Sequence, residues 1–292
     1  MRERQREFAF DFNRSLRVGQ ADQRLSSNGG ALLLREVDQR LGLMNRLVNR
    51  LQDGRSAAAC EYSLREILRS WLLAMALGDG SQSGMERLRD DPIVRLAATD
   101  RRGVAAIQRS LPSQPTCSRL LANLASRDNR HALLYAPMEM AIAAHQSRRK
   151  ARIRYVTVDL DSTDFETHGQ QELATYNGYY GHTCYHGLVA SIAETADLCG
   201  LWARKGSVSS AKGTNAFLRP ILDRLDGTIG QVLDVRFDAA FATPAVMDEL
   251  DARDINFVGR LRSNSNLQEL AGPYLTTPVG RPPHRARTAA YR

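Results

Sequence analysis

The sequence predicts an α/β protein in which an all-α N-terminal region precedes a mixed sheet with the element order β-β-β-α-β-α-β. Two observations lead to this fold class. Apolar residues recur at three- and four-residue steps up to about residue 150, and short runs rich in β-branched residues follow. We therefore predict a helical region over residues 1–150, a sheet domain over 151–267 and an irregular basic tail over 268–292.

Composition excludes several classes of protein. Hydrophobic residues at 43% and charged residues at 25% are typical of a globular chain and not of a disordered or fibrous one. No apolar run approaches the roughly 20 residues that span a bilayer, and the charged N-terminus lacks the apolar segment of a secretory signal. The 4 cysteines are scattered, as in a reducing compartment, so we expect a cytoplasmic protein. The net charge of +8 favours a polyanionic partner, most commonly nucleic acid.

Helical periodicity accounts for the N-terminal region, in which no strand alternation is apparent. A stripe of apolar residues at helical spacing predicts a single amphipathic helix. The stripe consists of Leu33, Val37, Leu41, Met44, Val48 and Leu51. Ser63 and Glu66 predict a capping box that opens a helix over residues 64–77. Further helices are predicted over residues 84–88, 93–98, 117–126 and 129–149. We expect Pro137 to kink or split the last of these helices.

The second half is predicted to form one mixed sheet. Its strands are expected over residues 153–160, 185–194, 201–208, 232–238 and 255–261, and its helices over 215–225 and 244–254. A glycine- and tyrosine-rich loop, residues 167–182, separates the first two strands. The first three strands form an antiparallel meander, and a crossover helix then returns the fourth strand parallel to the first.

Acidic residues share one face of the first and fourth strands. Because side chains alternate along a strand, Asp159 and Asp161 lie on one face, as do Asp234, Arg236 and Asp238 on the fourth strand. Asp161 and Asp238, at the ends of parallel neighbours, are expected to come close, and two such carboxylates repel unless a cation lies between them. Mg²⁺ suits such a site and would activate water or a 3′-hydroxyl against a phosphodiester. The alternative is that these acids are ordinary caps and turn formers.

A second group of polar residues follows the first strand. His182, Cys184 and His186 point the same way if they lie on a strand, and zinc is then one interpretation, with His168 as the nearby fourth ligand. Neighbouring positions on one strand form a poor tetrahedron, so polar residues lining a loop are the favoured interpretation. His168 and Gln170 are candidates for positioning a phosphate or a water, or for ordering the loop.

Several segments resemble the DDE transposases of bacterial insertion sequences, most closely the group numbered thirteen-eighty. The first acidic block of that family resembles residues 158–164, 168–172 and 176–182, and the second resembles residues 236–241. The segment before its crossover helix resembles residues 203–213, and its helical N-terminal region matches residues 30–35 and 113–119. The resemblance therefore extends from about residue 28 to about residue 267.

The resemblance implies an RNase H-like core in which two aspartates and a glutamate hold two Mg²⁺ ions, with Mn²⁺ able to substitute. Asp161 corresponds to the first acid, because the family's aspartate directly precedes a small residue and a threonine, here Ser162 and Thr163. Asp238 corresponds to the second acid, and Asp159 is a weaker candidate ligand.

The activity implied by the resemblance is transposition. It consists of phosphodiester hydrolysis at transposon terminal inverted repeats, followed by attack of the freed 3′-hydroxyl on target DNA. The implied partners are these DNAs and further copies of the chain, and no membrane partner is expected. The implied location is the nucleoid in the bacterial cytoplasm. The helical region is expected to bind DNA, with residues 115–124 as either the helix that enters a groove or a packing helix.

Two departures from the family pattern change these expectations. The second acidic block reads Asp-Ala-Ala-Phe where Ser-Gly usually follows the aspartate, which leaves the carboxylate in place. The family's third acid has no matching segment before Arg292, because neither Glu249 nor Glu269 occupies the expected place. The sequence therefore predicts a C-terminally truncated catalytic domain. The alternative function is a catalytically inactive DNA-binding remnant or an inhibitor of a full-length transposase.

Overall fold

The structure, a computed structural model, describes residues 8–18, 27–56, 58, 60–147 and 153–272. It contains a helical N-terminal region followed by a mixed sheet with helices, which confirms the predicted fold class. Residues 148–152 and 273–292 lie outside the described residues, and most of the predicted basic tail over residues 268–292 falls there.

The N-terminal region is helical except for one short hairpin. The hairpin pairs β1 (Phe8–Ala9) with β2 (Arg17–Val18) in antiparallel fashion, so the prediction of an all-α region was wrong there. The helices are α1 (Gly30–Leu41), α2 (Leu43–Val48), α3 (Leu64–Ala76), α4 (Gln82–Leu88), α5 (Pro92–Ala98), α6 (Ala105–Gln108), α7 (Gln114–Leu124), α8 (Arg127–Leu134) and α9 (Ala136–Ser147).

The apolar stripe that begins at Leu33 predicted one helix, but the structure has two, α1 and α2. Gly42, with φ of 64°, takes the left-handed conformation that glycine adopts without strain and separates the two helices. Leu33 and Val37 are exposed, because the buried face of α1 carries Arg35 and Glu36 instead. The Arg35 guanidinium is paired with Asp38 and Asp100, which makes its burial possible.

Two other local predictions are confirmed. The Ser63 side chain accepts a hydrogen bond from the Glu66 N–H at 3.2 Å, and the Glu66 carboxylate accepts one from the Ser63 N–H at 3.0 Å. This capping box opens α3. The long helix predicted from residue 129 is split at Tyr135 into α8 and α9, with Pro137 in the first turn of α9.

The second half follows the predicted order, with one additional strand. The elements are β3 (Tyr155–Glu166), β4 (Thr175–Asn177), β5 (His182–Ile192), β6 (Leu198–Lys205), α10 (Thr214–Leu225), β7 (Gln231–Phe237), α11 (Pro244–Asp251), β8 (Asn256–Gly259) and α12 (Ser265–Ala271). The extra strand, β4, lies within the predicted loop over residues 167–182. Helix α12 shows that residues 268–271 are helical, whereas an irregular tail was predicted from residue 268.

The sheet has the strand order β4-β5-β3-β7-β8, and β6 also pairs with β5. Strand β3 is antiparallel to β5 and parallel to β7, and β7 is parallel to β8. This is the RNase H-like arrangement that the resemblance implies. Leu160 of β3 is paired in register with Phe237, the last residue of β7, so Asp161 and Asp238 follow at the point where this parallel pairing ends. Strand β3 itself continues to Glu166 along its antiparallel partner β5, so the prediction that this strand ends at residue 160 was wrong.

One hydrophobic core covers the sheet and includes a helix that was assigned to the N-terminal region. Val158 of β3 packs in the same buried cluster as Phe217 of α10 and Ile142 of α9. A separate cluster fills the space among α1, α3, α5 and α7. The sheet's core therefore begins at least as early as Tyr135, ahead of the predicted boundary at residue 150. Among the helices that the structure describes, none is long and apolar enough to cross a membrane.

Candidate functional site

The alternation predicted for the acidic strands is present. On β3, Val158 and Leu160 are buried, whereas Asp159 is partly exposed and Asp161 is exposed. On β7, Val235 is fully buried between neighbours that point to the opposite face. The apolar faces of both strands therefore support the sheet's core and direct the acidic residues away from it.

Asp161 and Asp238 line the same cavity, which has a volume of about 740 Å³. The parallel pairing of β3 and β7 brings them together, as the sequence predicted. The other walls come from residues 176–180, which lie in β4 and the turn after it, from residues 207–210 after β6, and from Arg262 after β8.

Backbone N–H groups of nearby residues orient the two carboxylates. One oxygen of Asp161 accepts a hydrogen bond from the Ser162 N–H at 2.7 Å, and one oxygen of Asp238 accepts one from the Ala240 N–H at 2.9 Å. Within the described ranges, the second oxygen of each carboxylate has no hydrogen bond or ion pair. Carboxylate oxygens in a polar cavity are the hard donors that Mg²⁺ prefers, so the donor set fits this ion.

Asp159 differs from Asp161 in its partner. Both of its oxygens accept hydrogen bonds from the Arg236 guanidinium, at 2.6 Å each, across the β3–β7 pair. This contact raises the pKa of Arg236. Asp159 is therefore neutralised by a side chain of the next strand, and it does not line the cavity.

The remaining candidates of the sequence analysis lie elsewhere. His168 and Gln170 are exposed in the segment after β3 and are not part of the cavity wall. Glu249 on α11 is paired with Arg219 and Arg253, and Glu269 lies on the exposed helix α12. Of the acids that the structure describes, only Asp161 and Asp238 line this cavity.

His182, Cys184 and His186 do not form a zinc ligand set in the described structure. The His182 Nε2 atom lies 2.6 Å from the Asp164 carboxylate, and the His186 Nδ1 atom lies 2.8 Å from the Val208 carbonyl oxygen. Cys184 is fully buried on the same strand. In the part of the chain that the structure describes, no group of three or more His, Cys, Asp and Glu residues could hold a metal ion.

Sequence reasoning missed two arginines that shape the cavity. Arg262 donates a hydrogen bond from Nε to the Ala239 carbonyl oxygen at 3.3 Å, which brings a cation to the cavity. Arg204 is buried, which lowers its pKa to about 10. Its Nη1 atom donates to the carbonyl oxygens of Ser209, Ser210 and Lys212 and so fixes one cavity wall. The basic residues within 203–213 are the one feature of the sequence that could have pointed to a role for Arg204.

The family described as Transposase DDE domain group 1 matches residues 8–292. The chain belongs to this family. The match covers both the helical region and the sheet of this DDE transposase chain, and no curated protein sequence matches it.

One solved structure similar to this DDE chain is described as a cryo-EM structure of the piggyBac transposase synaptic complex with hairpin DNA. The sequence identity is 12% and the TM-score is 0.44. The similarity covers 85% of this chain and 54% of the piggyBac chain, so the chain spans about half the length of that transposase.

Proposed function

We propose that this chain is an insertion-sequence transposase that cleaves phosphodiester bonds at terminal inverted repeats and joins the freed 3′-hydroxyl to target DNA. The observation that carries the proposal is the meeting of Asp161 and Asp238 in one cavity, where the parallel pairing of β3 and β7 ends. Membership of the DDE family supports it. We further propose that the chain belongs to the group numbered thirteen-eighty and that its N-terminal helices help to bind DNA. It would assemble as a homo-oligomer on DNA and act at the nucleoid in a bacterial cytoplasm.

Asp161 and Asp238 would hold Mg²⁺, or Mn²⁺ in its place, through their unpaired carboxylate oxygens. When bound, such an ion activates water or a 3′-hydroxyl and stabilises the charge that develops on the phosphate. Arg262 would bind phosphate oxygens at the cavity, because its guanidinium contacts the chain through Nε and a carbonyl oxygen alone in the described structure. Arg236 removes the charge of Asp159 from the same face of the sheet.

The test is Mg²⁺-dependent cleavage of DNA that carries the ends of the encoding element. Asp161→Asn and Asp238→Asn should each reduce cleavage to the level seen without metal, because each removes a charged ligand. The matched control is Asp234→Asn, which changes the same side chain on the same face of β7, outside the cavity. Cleavage that survives in the Asp161 and Asp238 variants would remove these carboxylates from the mechanism.

A second candidate function follows from the number of acids at the cavity. Within the described residues, two carboxylates line it, and Glu249 and Glu269 lie elsewhere. A chain without a third acid would bind transposon ends and inhibit an active relative through mixed oligomers. Binding of DNA ends without Mg²⁺-dependent cleavage would support this candidate, and strand transfer by the purified chain would contradict it.

A further inference from the structure

Two tyrosines of a turn beside the acidic cavity contribute little to the packing of the chain. Tyr176 and Tyr179 line the cavity together with Asp161 and Asp238, yet their exposed fractions are 63% and 90%. A tyrosine side chain that is 90% exposed contributes almost no buried apolar area to folding. A planar ring at this position is therefore available to a ligand.

The backbone that carries these rings is held in place by Asn177. This side chain is 9% exposed, and its Nδ2 donates to the Gly206 carbonyl oxygen at 2.7 Å. Its Oδ1 accepts from the Tyr179 N–H at 2.9 Å, and its own carbonyl oxygen accepts from the Gly181 N–H at 2.8 Å. Gly181, with φ of 79°, permits the left-handed bend that closes the turn. The exposed ring of Tyr179 is thus presented on a fixed backbone, which lowers the ordering cost of binding.

Neighbouring aromatic residues orient the exposed ring. The rings of Tyr179 and Tyr180 meet edge to face, with centroids 5.0 Å apart and an interplanar angle of 84°. Tyr180 in turn contacts His186, at 5.9 Å between centroids. On the other side of Tyr179, an added Cβ on Gly178 would meet no atom within 4 Å, so the space beside the turn is open.

The surroundings of this turn favour a flat, polar ligand over a protein. The cavity is also lined by residues 207–210, of which Ser207, Ser209 and Ser210 carry hydroxyl groups. A protein partner needs a contact patch of several hundred Å² or more, whereas one ring can stack on one base. The net charge of +8 attracts nucleic acid to the chain.

We propose that Tyr179, held by its edge-to-face contact with Tyr180, stacks on an unpaired nucleobase of the DNA strand whose phosphate occupies the acidic cavity. The proposal rests on DNA being the substrate of this site, as proposed above. The base must be unpaired or at a strand end, because neighbouring bases cover both faces of a base within a duplex. The contact is with the face of the ring, so it is tolerant of base identity.

The test uses the full chain and oligonucleotides with one unpaired 2-aminopurine, whose fluorescence falls on stacking, in buffer without divalent metal. Tyr179→Ala should weaken binding of this DNA by about 5- to 150-fold and abolish the fluorescence change, given typical base–aromatic stacking. Tyr179→Phe retains a ring and should preserve both. The matched control is Tyr155→Ala, which removes an exposed tyrosine at the opposite end of β3, outside the cavity.

Unchanged affinity and unchanged fluorescence response in Tyr179→Ala would overturn the stacking proposal, even if the wild-type chain cleaves DNA. A fluorescence response that depends on Tyr179 in a chain that never cleaves DNA would support stacking and contradict the proposed strand cleavage. A wild-type chain that binds neither unpaired nor fully paired DNA would overturn both.

Discussion

Asp159 and Asp161 lie two positions apart on one face of β3, but their surroundings give them different chemistry. The Arg236 guanidinium binds both oxygens of Asp159, at 2.6 Å each. Asp161 instead accepts one backbone hydrogen bond and faces the cavity that Asp238 also lines. A cation would therefore have to displace a bidentate arginine at Asp159, whereas at Asp161 it finds an unpaired oxygen.

The residue-scale prediction concerns Asp159→Asn. We expect this variant to retain most of its Mg²⁺-dependent cleavage, whereas Asp161→Asn loses it. Side-chain exposures of 55% for Arg236 and 34% for Asp159 place the pair near solvent. Loss of such a pair should therefore lower the free energy of unfolding by less than about 1 kcal/mol. Cleavage assays and urea unfolding of the two variants side by side provide the measurement. An equal loss of cleavage in both would identify Asp159 as a ligand.

The candidate acids could be predicted from the sequence because strand alternation and a parallel crossover depend on local pattern. The tyrosine turn and Arg262 could not be placed in this way, because tertiary contacts put them there. Asn177, which holds the turn, is bonded to Gly206, 29 positions away. Arg262 reaches the cavity through a carbonyl oxygen 23 positions away. Neither contact leaves a periodic signature in the sequence.

At the scale of elements, α10 and α11 are joined by an ion-pair network on the surface of the sheet domain. Glu249 of α11 accepts hydrogen bonds from Arg219 of α10 and from Arg253, and Arg253 also pairs with Asp223 of α10. The hydrogen bonds from Arg219 and Arg253 lower the pKa of Glu249 to about 2. Glu249 therefore has a structural role in fixing the two helices.

This network predicts a dependence of stability on pH. Since the pKa of Glu249 is lower in the folded chain than the ordinary glutamate value of about 4.3, its stabilising contribution is complete above that value. The contribution is lost as the pH falls toward the folded-state pKa of about 2. The free energy of unfolding should thus differ between wild type and Glu249→Gln at pH 6 to 7, and the difference should vanish near pH 2.

The measurement is chemical denaturation across this pH range. Glu269→Gln, on the exposed helix α12, is the matched control, because Glu269 forms no ion pair within the described part of the chain. A difference for Glu249→Gln that does not change with pH would show that the ion pairs do not stabilise the packing of α10 against α11.

Helix α1 illustrates why some elements could not be predicted. Its stripe of leucine and valine suggested an inward face, but the buried positions include Arg35, which pairs with Asp38 and Asp100. Arg69 of α3 joins the same two aspartates. A pattern that assigns charged residues to the surface cannot anticipate a buried network whose charges neutralise one another.

At the scale of the whole molecule, Glu139 connects the helical region to the sheet. It lies on α9 and is buried, and it binds Arg50 after α2 at 2.8 Å and Arg224 of α10 at 3.2 Å. Because α9 also packs in the sheet's core, the boundary between the two halves is bridged by both apolar and charged contacts. The predicted division at residue 150 could not reveal this, because the periodicity of a helix does not show which domain it packs against.

Glu139→Ala should therefore destabilise the whole chain. We expect the free energy of unfolding to fall by about 1.5–3 kcal/mol, the usual contribution of hydrogen bonds to a charged group, and urea denaturation measures it. The control is Glu61→Ala, which removes a carboxylate paired with Arg109 but 72% exposed, and which should cost less than about 1 kcal/mol. Similar small losses in the two variants would show that Glu139 does not connect the halves energetically.

The position of β3 in the middle of the sheet has a consequence for the chain during its synthesis. Its antiparallel partner β5 follows it closely, but its parallel partner β7 comes later, with Asp159 and Arg236 separated by 77 positions. At translation rates of about 5–20 residues per second, those 77 positions take about 4 to 15 s to emerge. During that time one edge of the central strand is open on the nascent chain, and an open edge invites pairing with other chains. Chaperones and ribosome pausing would thus have their largest effect on the yield of folded protein between the emergence of β6 and that of β7.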